Sequence, residues 1–272
     1  MKTRQTSIIP RKLMSAFFCV FAGFIVSSCG MDEVISIEEP TVTYNDPLYS
    51  SSDPLTWYFN FKTAPSSDAE GLGYTGTDVY YKIYNNYSNL TSQRNAINSV
   101  NTSSSGSTAA TRMIETYSYQ PLGTSTSTNK AVFFEGHDST TVIFRLKNYQ
   151  SGISNESADS DDLLKTRYTL NACIGYKVST DYTYEEYVPY RNSAVGNKSF
   201  DFFDYDEDDK GGTRDVEPAE GDADYYHSAS FSEENCYYVQ LFAVARAWNT
   251  ESVSPVYSLV LDLGSVPIRK GE

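Results

Sequence analysis

Cys236-Tyr-Tyr-Val-Gln-Leu-Phe-Ala-Val-Ala-Arg246, followed after a polar break by Val256-Tyr-Ser-Leu-Val-Leu-Asp-Leu263, decides the fold class. In an extended chain successive side chains point to opposite faces. Tyr237, Val239, Leu241, Ala243 and Ala245 then share one face, and Cys236, Tyr238, Gln240, Phe242, Val244 and Arg246 share the other. A period of two, carried by aromatic and β-branched residues, is a strand signal. Asn249-Thr250-Glu251 is a turn, and the second stretch returns with Tyr257, Leu259, Leu261 and Leu263 inward. The pair is an antiparallel hairpin.

The same alternation recurs upstream. Trp57, Phe59 and Phe61 oppose Tyr58, Asn60 and Lys62, and after a Gly-rich turn Val79, Tyr81 and Ile83 oppose Tyr80, Lys82 and Tyr84. Val142, Phe144 and Leu146 form another inward row, and Leu170, Ala172, Ile174, Tyr176 and Val178 a longer one. With 23 Tyr and 14 Phe and few runs of strong helix formers, the chain reads as all-β, an antiparallel β-sandwich.

One region departs from this. Residues 85–129 are rich in Ser, Thr and Asn and read as a surface insertion, in which Leu90–Val100 and Ala109–Tyr117 are each long enough for a short helix. Further on, Asp181–Tyr190 mixes tyrosine with acid, Phe200–Asp209 mixes aromatics with acid, and the chain to Asp224 is acidic.

Tyr237-Tyr-Val-Gln-Leu-Phe-Ala-Val, ending in Ser254-Pro-Val-Tyr-Ser258, resembles the last two strands of a fibronectin type III module. Tyr237, Val239, Leu241 and Ala243 occupy the places of that family's Tyr-x-Val-x-Val-x-Ala pattern, and 55–61 and 79–84 look like its second and third strands. The resemblance implies a fibronectin type III-like or immunoglobulin-like sandwich. A module of about 100 residues would need long insertions here. One sandwich over residues 41–266 is expected; two smaller ones split near residue 150, or a larger unrelated sandwich, are the alternatives.

At the other end, Lys2, Arg4, Arg11 and Lys12 precede an apolar run from Leu13 to Val26. A basic end followed by about 14 apolar residues is a secretory signal, too short to span a bilayer. It closes on Val26-Ser-Ser-Cys29-Gly30, which resembles the lipobox of bacterial lipoproteins. The resemblance implies that residues 1–28 are removed and that Cys29 becomes the lipidated first residue. Several acyl chains make such attachment effectively permanent, since membrane affinity grows with each buried methylene. Gly30 stands where an acid would signal inner-membrane retention, so the resemblance implies the outer membrane, on its periplasmic face or at the cell surface. Residues 29–40 read as an acidic tether.

The chain carries 21 Lys plus Arg against 35 Asp plus Glu, a net −14. The first 28 residues hold four basic side chains and no acid, so the processed chain stands near −18. Such a body repels nucleic acid.

Once Cys19 leaves with the signal and Cys29 takes lipid, Cys173 and Cys236 remain in an oxidising compartment, where an even pair suggests a disulfide. The alternative is two separate thiols. Both sit opposite the more apolar faces of their strands, so a bridge would make those strands neighbours in one sheet.

Chemistry has few candidates. Asp204, Asp206 and Asp208 alternate in a way that suits a calcium loop, although Asp209 and Asp215 stand where a helix-flanked loop needs Gly and Glu. Tyr182, Tyr184, Tyr187 and Tyr190 are candidates for a face that stacks on sugars or anchors a protein. His137 and His227 are isolated, and neither a Gly-x-Ser-x-Gly nor a phosphate-binding glycine loop is present. No catalytic residue or resident cofactor is assigned. The expected function is a lipid-anchored envelope protein with a non-catalytic binding, adhesion or structural role, its protein or glycan ligand unspecified. The alternative is a carbohydrate-binding lipoprotein, calcium-assisted or not, and more remotely an enzyme acting on glycans.

Overall fold

The computed structural model describes residues 37–42, 58–66, 71–102, 106–124, 133–134, 136–147, 172–178, 181–192, 198–200, 202, 217–231 and 236–269. At 106, 133–134, 144, 173, 175–178 and 181–187 the description is of backbone alone. All of these residues belong to the unit Ser36–Glu272; the other unit, Met1–Ile35, lies outside them.

In chain order the strands are β1 (Thr41–Val42), β2 (Phe59–Lys62), β3 (Leu72–Tyr84), β4 (Gln120–Pro121), β5 (Gly123–Thr124), β6 (Phe133–Phe134), β7 (Thr141–Arg145), β8 (Cys173–Val178), β9 (Asp181–Tyr187), β10 (Pro189–Tyr190), β11 (Tyr225–Tyr226), β12 (Cys236–Asn249) and β13 (Ser254–Arg269). Between β3 and β4 lie helix α1 (Tyr87–Asn98) and helix α2 (Gly106–Thr111), which runs into a π-helical turn, Arg112–Thr116. The described chain is mostly strand, in mainly antiparallel sheets compatible with a β-sandwich.

One sheet has the order β1-β2-β7-β8-β9 and is antiparallel throughout. The other is built on β12, whose two edges are taken by β3 and β13. The far edge of β3 is covered in pieces: β6 pairs at Thr77–Asp78, β4 at Tyr80–Tyr81, and β11 runs parallel at Ile83–Tyr84. Neither sheet comes from one half of the sequence, since β3 pairs with β12 and β2 with β7.

The alternating rows meet as their periodicity requires. Phe59, Phe61, Val79, Tyr81, Ile83, Val142, Leu146 and Ile174 join Tyr237, Val239, Leu241 and Ala243 in one buried cluster drawn from both sheets. Phe200 and Phe202 enter it from outside the strands. Phe202 meets Tyr237 edge-on at 5.2 Å, and Phe200 meets Tyr81 in the same way at 5.2 Å.

The opposite face of the β3-β12-β13 sheet is also buried. Tyr80, Tyr84, Tyr238, Phe242, Val244 and Val260 pack with Leu90 and Ile97 of α1, Ala109 and Ala110 of α2, and Met113 of the π-helical turn. Leu90, Ile97, Ala109, Ala110 and Met113, all within the Ser/Thr/Asn-rich stretch, therefore supply apolar cover for a sheet that is hydrophobic on both sides. Asn86 starts α1 by accepting hydrogen bonds from Ser88 N (3.0 Å) and Asn89 N (3.3 Å), an N-cap. Leu90 and Ile97, seven positions apart, lie on one side of the helix.

The return strand is less regular than its sequence. Its register with β12 shifts between Leu241 and Phe242 and again between Val244 and Arg246. Each shift is a bulge, and a bulge reverses which side chains face inward. Leu261 and Leu263 therefore face the inter-sheet core while Tyr257 packs on the helix side. The bulge at Leu263 passes through Gly264 at φ +89°, a conformation glycine reaches without strain. Asp262 secures it by accepting from Gly264 N (3.0 Å) and Gln240 Nε2 (2.8 Å), and it ties down α1 by accepting from Arg94 Nε (2.5 Å) and Asn98 Nδ2 (2.7 Å).

Candidate functional site

Cys29 and the acids Asp204, Asp206 and Asp208 lie outside the described residues. Tyr182, Tyr184 and Tyr187 fall in β9, an outer strand of its sheet, whereas Tyr190 falls in β10, which pairs with β5. The tyrosine segment thus crosses from one sheet to another at Val188 rather than forming one strand. His227 lies edge-on to Tyr225 at 5.9 Å, and the carbonyl of His137 accepts from Thr63 Oγ1 at 2.5 Å. Among the described residues no three His, Cys, Asp or Glu gather as a metal site would need, and no helix is long and apolar enough to cross a membrane.

The two cysteine strands are not neighbours in one sheet. Cys173 is in β8 and Cys236 in β12, and these strands belong to different sheets. A strand has two edges, and β3 and β13 already occupy both edges of β12. Cys236 is buried on the helix-covered face; of Cys173 only the backbone is described, so the bridge itself falls outside the description.

Two polar clusters break the apolar pattern. The first is a buried clasp. Arg191 donates from Nε to Asp224 Oδ2 (2.8 Å) and from Nη2 to both Asp224 Oδ1 (2.6 Å) and Asp222 Oδ2 (2.6 Å). Tyr81 donates to Asp224 Oδ2 (2.5 Å) and accepts from Asn192 N (2.7 Å). Local structure delivers these groups. The β5–β10 pairing brings in Arg191, and it requires Gly123, where a Cβ would sit 3.0 Å from the Tyr190 carbonyl oxygen. A turn closed by Asp222 N to Ala219 O (3.0 Å) presents the two acids. Burial raises the Tyr81 hydroxyl pKa well above its usual value, and the adjacent Asp224 adds to it. Burial also works against the charge of Asp222, but the Ala219 amide and Arg191 outweigh it and hold that carboxyl below the usual range. One guanidinium thus holds two carboxylates, and the clasp joins a loop, a turn and a strand.

The second cluster lies where the helical cover ends. On the helix side of the sheet, the row Phe242, Val244, Arg246, Trp248 runs outward along β12. Arg246 stands opposite Tyr257 and Trp248 opposite Pro255 on β13; across β3 their partners are Gly76 and Gly73. The two glycines leave the sheet without side chains there, and a Cβ at Gly73 would meet nothing nearer than the Trp248 carbonyl oxygen at 3.8 Å. Trp248 is 45% exposed and Arg246 Nη1 lies 3.3 Å from the buried Asp78 Oδ2. That oxygen accepts no hydrogen bond. Burial raises the Asp78 carboxyl to about 6, only partly offset by Arg246. Tyr80 and Tyr257 share a hydroxyl interaction beside it; burial first, then Asp78, drives the Tyr80 pKa up. The result is a platform with an exposed indole, a guanidinium, two phenols and an under-bonded carboxylate.

Sequence periodicity put Arg246 on the outer row of its strand but gave no sign that Asp78 lies beneath it. Phe200, Arg191 and Asp224 sit outside any periodic stretch and carried no signal of their own. Compared with protein-family models, with curated proteins and with solved structures, the chain matches none.

Proposed function

We propose that this chain is a lipid-anchored protein of a bacterial cell envelope, held in the outer membrane, whose β body binds a partner and carries out no chemistry. The observation that carries the reading is Val26-Ser-Ser-Cys29 at the end of a basic-then-apolar leader. The body is then a fibronectin type III-like or immunoglobulin-like sandwich with long insertions, a rigid scaffold that presents loops and sheet ends. Binding is supported over catalysis because the buried acids of the clasp are held by Arg191, whereas Trp248 and Arg246 offer an exposed aromatic face beside hydrogen-bond donors. The same platform favours the second reading, a carbohydrate-binding lipoprotein.

Feeding producing cells an alkyne-tagged fatty acid tests the anchor. The chain should take up label and partition with membranes, and Cys29→Ala should lose both. Label retained in Cys29→Ala, or none in the parent, contradicts the proposal.

A further inference from the structure

We infer that the open sheet end at Trp248, Arg246, Asp78 and Tyr257 binds a neutral sugar residue of a glycan, the ring lying on the Trp248 indole and vicinal hydroxyls meeting Arg246 and Asp78. This rests on the binding function proposed above and names its site and ligand class.

Three observations converge. First, the groups share one face. Arg246 and Trp248 are two positions apart on β12, so their side chains rise about 7 Å from each other, close to the span of one pyranose ring. Gly73 and Gly76 keep the adjacent strand from filling the space above.

Second, the hydrogen-bonding groups suit hydroxyls. A sugar hydroxyl both donates and accepts. Arg246 supplies donors, Asp78 Oδ2 is an acceptor with no hydrogen bond of its own, and Tyr257 can do either. The 3.3 Å between Arg246 Nη1 and Asp78 Oδ2 falls outside good hydrogen-bond geometry, so a ligand hydroxyl that displaces the guanidinium slightly gives Asp78 a better partner.

Third, charge selects the class. Arg246 and Asp78 compensate each other locally, in a chain of net −14. Polyanions are repelled by the body, and a polycation would find Asp78 already facing Arg246. A neutral polyhydroxylated ligand meets neither obstacle, and its C–H face gains by leaving water for an aromatic ring. The helical cover ends here, while the rest of this sheet face is closed by α1, α2 and the π-helical turn.

The processed full-length chain, purified in detergent, can be run by native electrophoresis through gels holding a soluble β-glucan, a xylan, a mannan or an α-glucan. At least one polymer should slow it. Trp248→Ala and Arg246→Ala should weaken the effect tenfold or more, Trp248→Phe less than Trp248→Ala, with unchanged thermal melts. In the unaltered chain the same polymer should shield tryptophan fluorescence from acrylamide. No retardation by any polymer, retardation unchanged in folded Trp248→Ala, or no shielding would overturn the inference. Fatty-acid labelling of the same preparations reads the anchor separately, so a labelled chain that ignores every polymer sinks the sugar site alone.

Discussion

Arg191 and Asp224 meet as a two-pronged pair, Nε to Oδ2 at 2.8 Å and Nη2 to Oδ1 at 2.6 Å, with both side chains fully buried. Paired charges in low dielectric tolerate each other, but either one alone is expensive. Asp224→Ala should therefore lose about 3–5 kcal/mol, read by urea unfolding. The double change Arg191→Met with Asp224→Leu should lie closer to the parent, because neither fully buried charge is left without the other and the partly exposed Asp222 keeps the Ala219 amide. If Asp224→Ala unfolds at the parental urea concentration, the clasp does not hold the fold.

Asp78 works in the other direction. Its carboxyl sits at about 6 in the folded chain against an ordinary 3.8, so the native state binds a proton more readily than the unfolded state. The sign follows: its stabilising contribution is complete below about pH 4 and is lost as pH rises through 6, on the order of 3 kcal/mol. Arg246, Tyr80 and Tyr257 are the charged or titratable groups that face it. Asp78→Asn should be more stable than the parent at pH 7 and should flatten the profile between pH 4 and 6. A parental profile that persists in Asp78→Asn would refute this assignment.

Helical cover of the sheet makes a sharper test of residues 85–129. Leu90→Ala and Met113→Ala each empty a fully buried site and should cost about 2–5 kcal/mol. Replacing 87–117 with a short linker should expose Tyr84, Tyr238 and Phe242 and give an aggregating product. A soluble, cooperatively melting product would mean that the segment is dispensable.

Asp262 couples a bulge to a helix by accepting from Gly264, Gln240, Arg94 and Asn98. Asp262→Ala should cost about 1.5–3 kcal/mol, the range for hydrogen bonds to a charged group. Amide exchange along α1 should quicken more than along β3. Uniform quickening would show that the link is global instead.

The inward rows of β2, β3, β7 and β12 were legible in the sequence because alternation reports burial directly. What escaped has physical causes. The outer rows of β3 and β12 look amphipathic on paper, since Tyr80, Tyr84 and Tyr238 suit water as well as a core; their burial depends on helices drawn from a Ser-rich stretch. β4, β5, β10 and β11 are too short for any period to register. Bulges at Leu263 and near Ser258 shift the phase of β13, so Tyr257 turns to the side opposite that of Leu261. The Arg191–Asp224 clasp joins residues 33 positions apart, and Asp78 meets Arg246 across 168 positions. Neither distance leaves a local trace. Cysteine parity placed Cys236 on the correct face but not β8 beside β12, because parity gives sidedness and says nothing of which strand occupies an edge.

The anchor is the claim on which location and role both depend, and the mass of the amino-terminal peptide tests it most directly. The chain isolated from the envelope of producing cells should begin at Cys29, with its mass raised by a thiol-linked diacylglycerol and an amide-linked fatty acid. An amino terminus beyond Cys29, unmodified, on a chain recovered from the medium would contradict it.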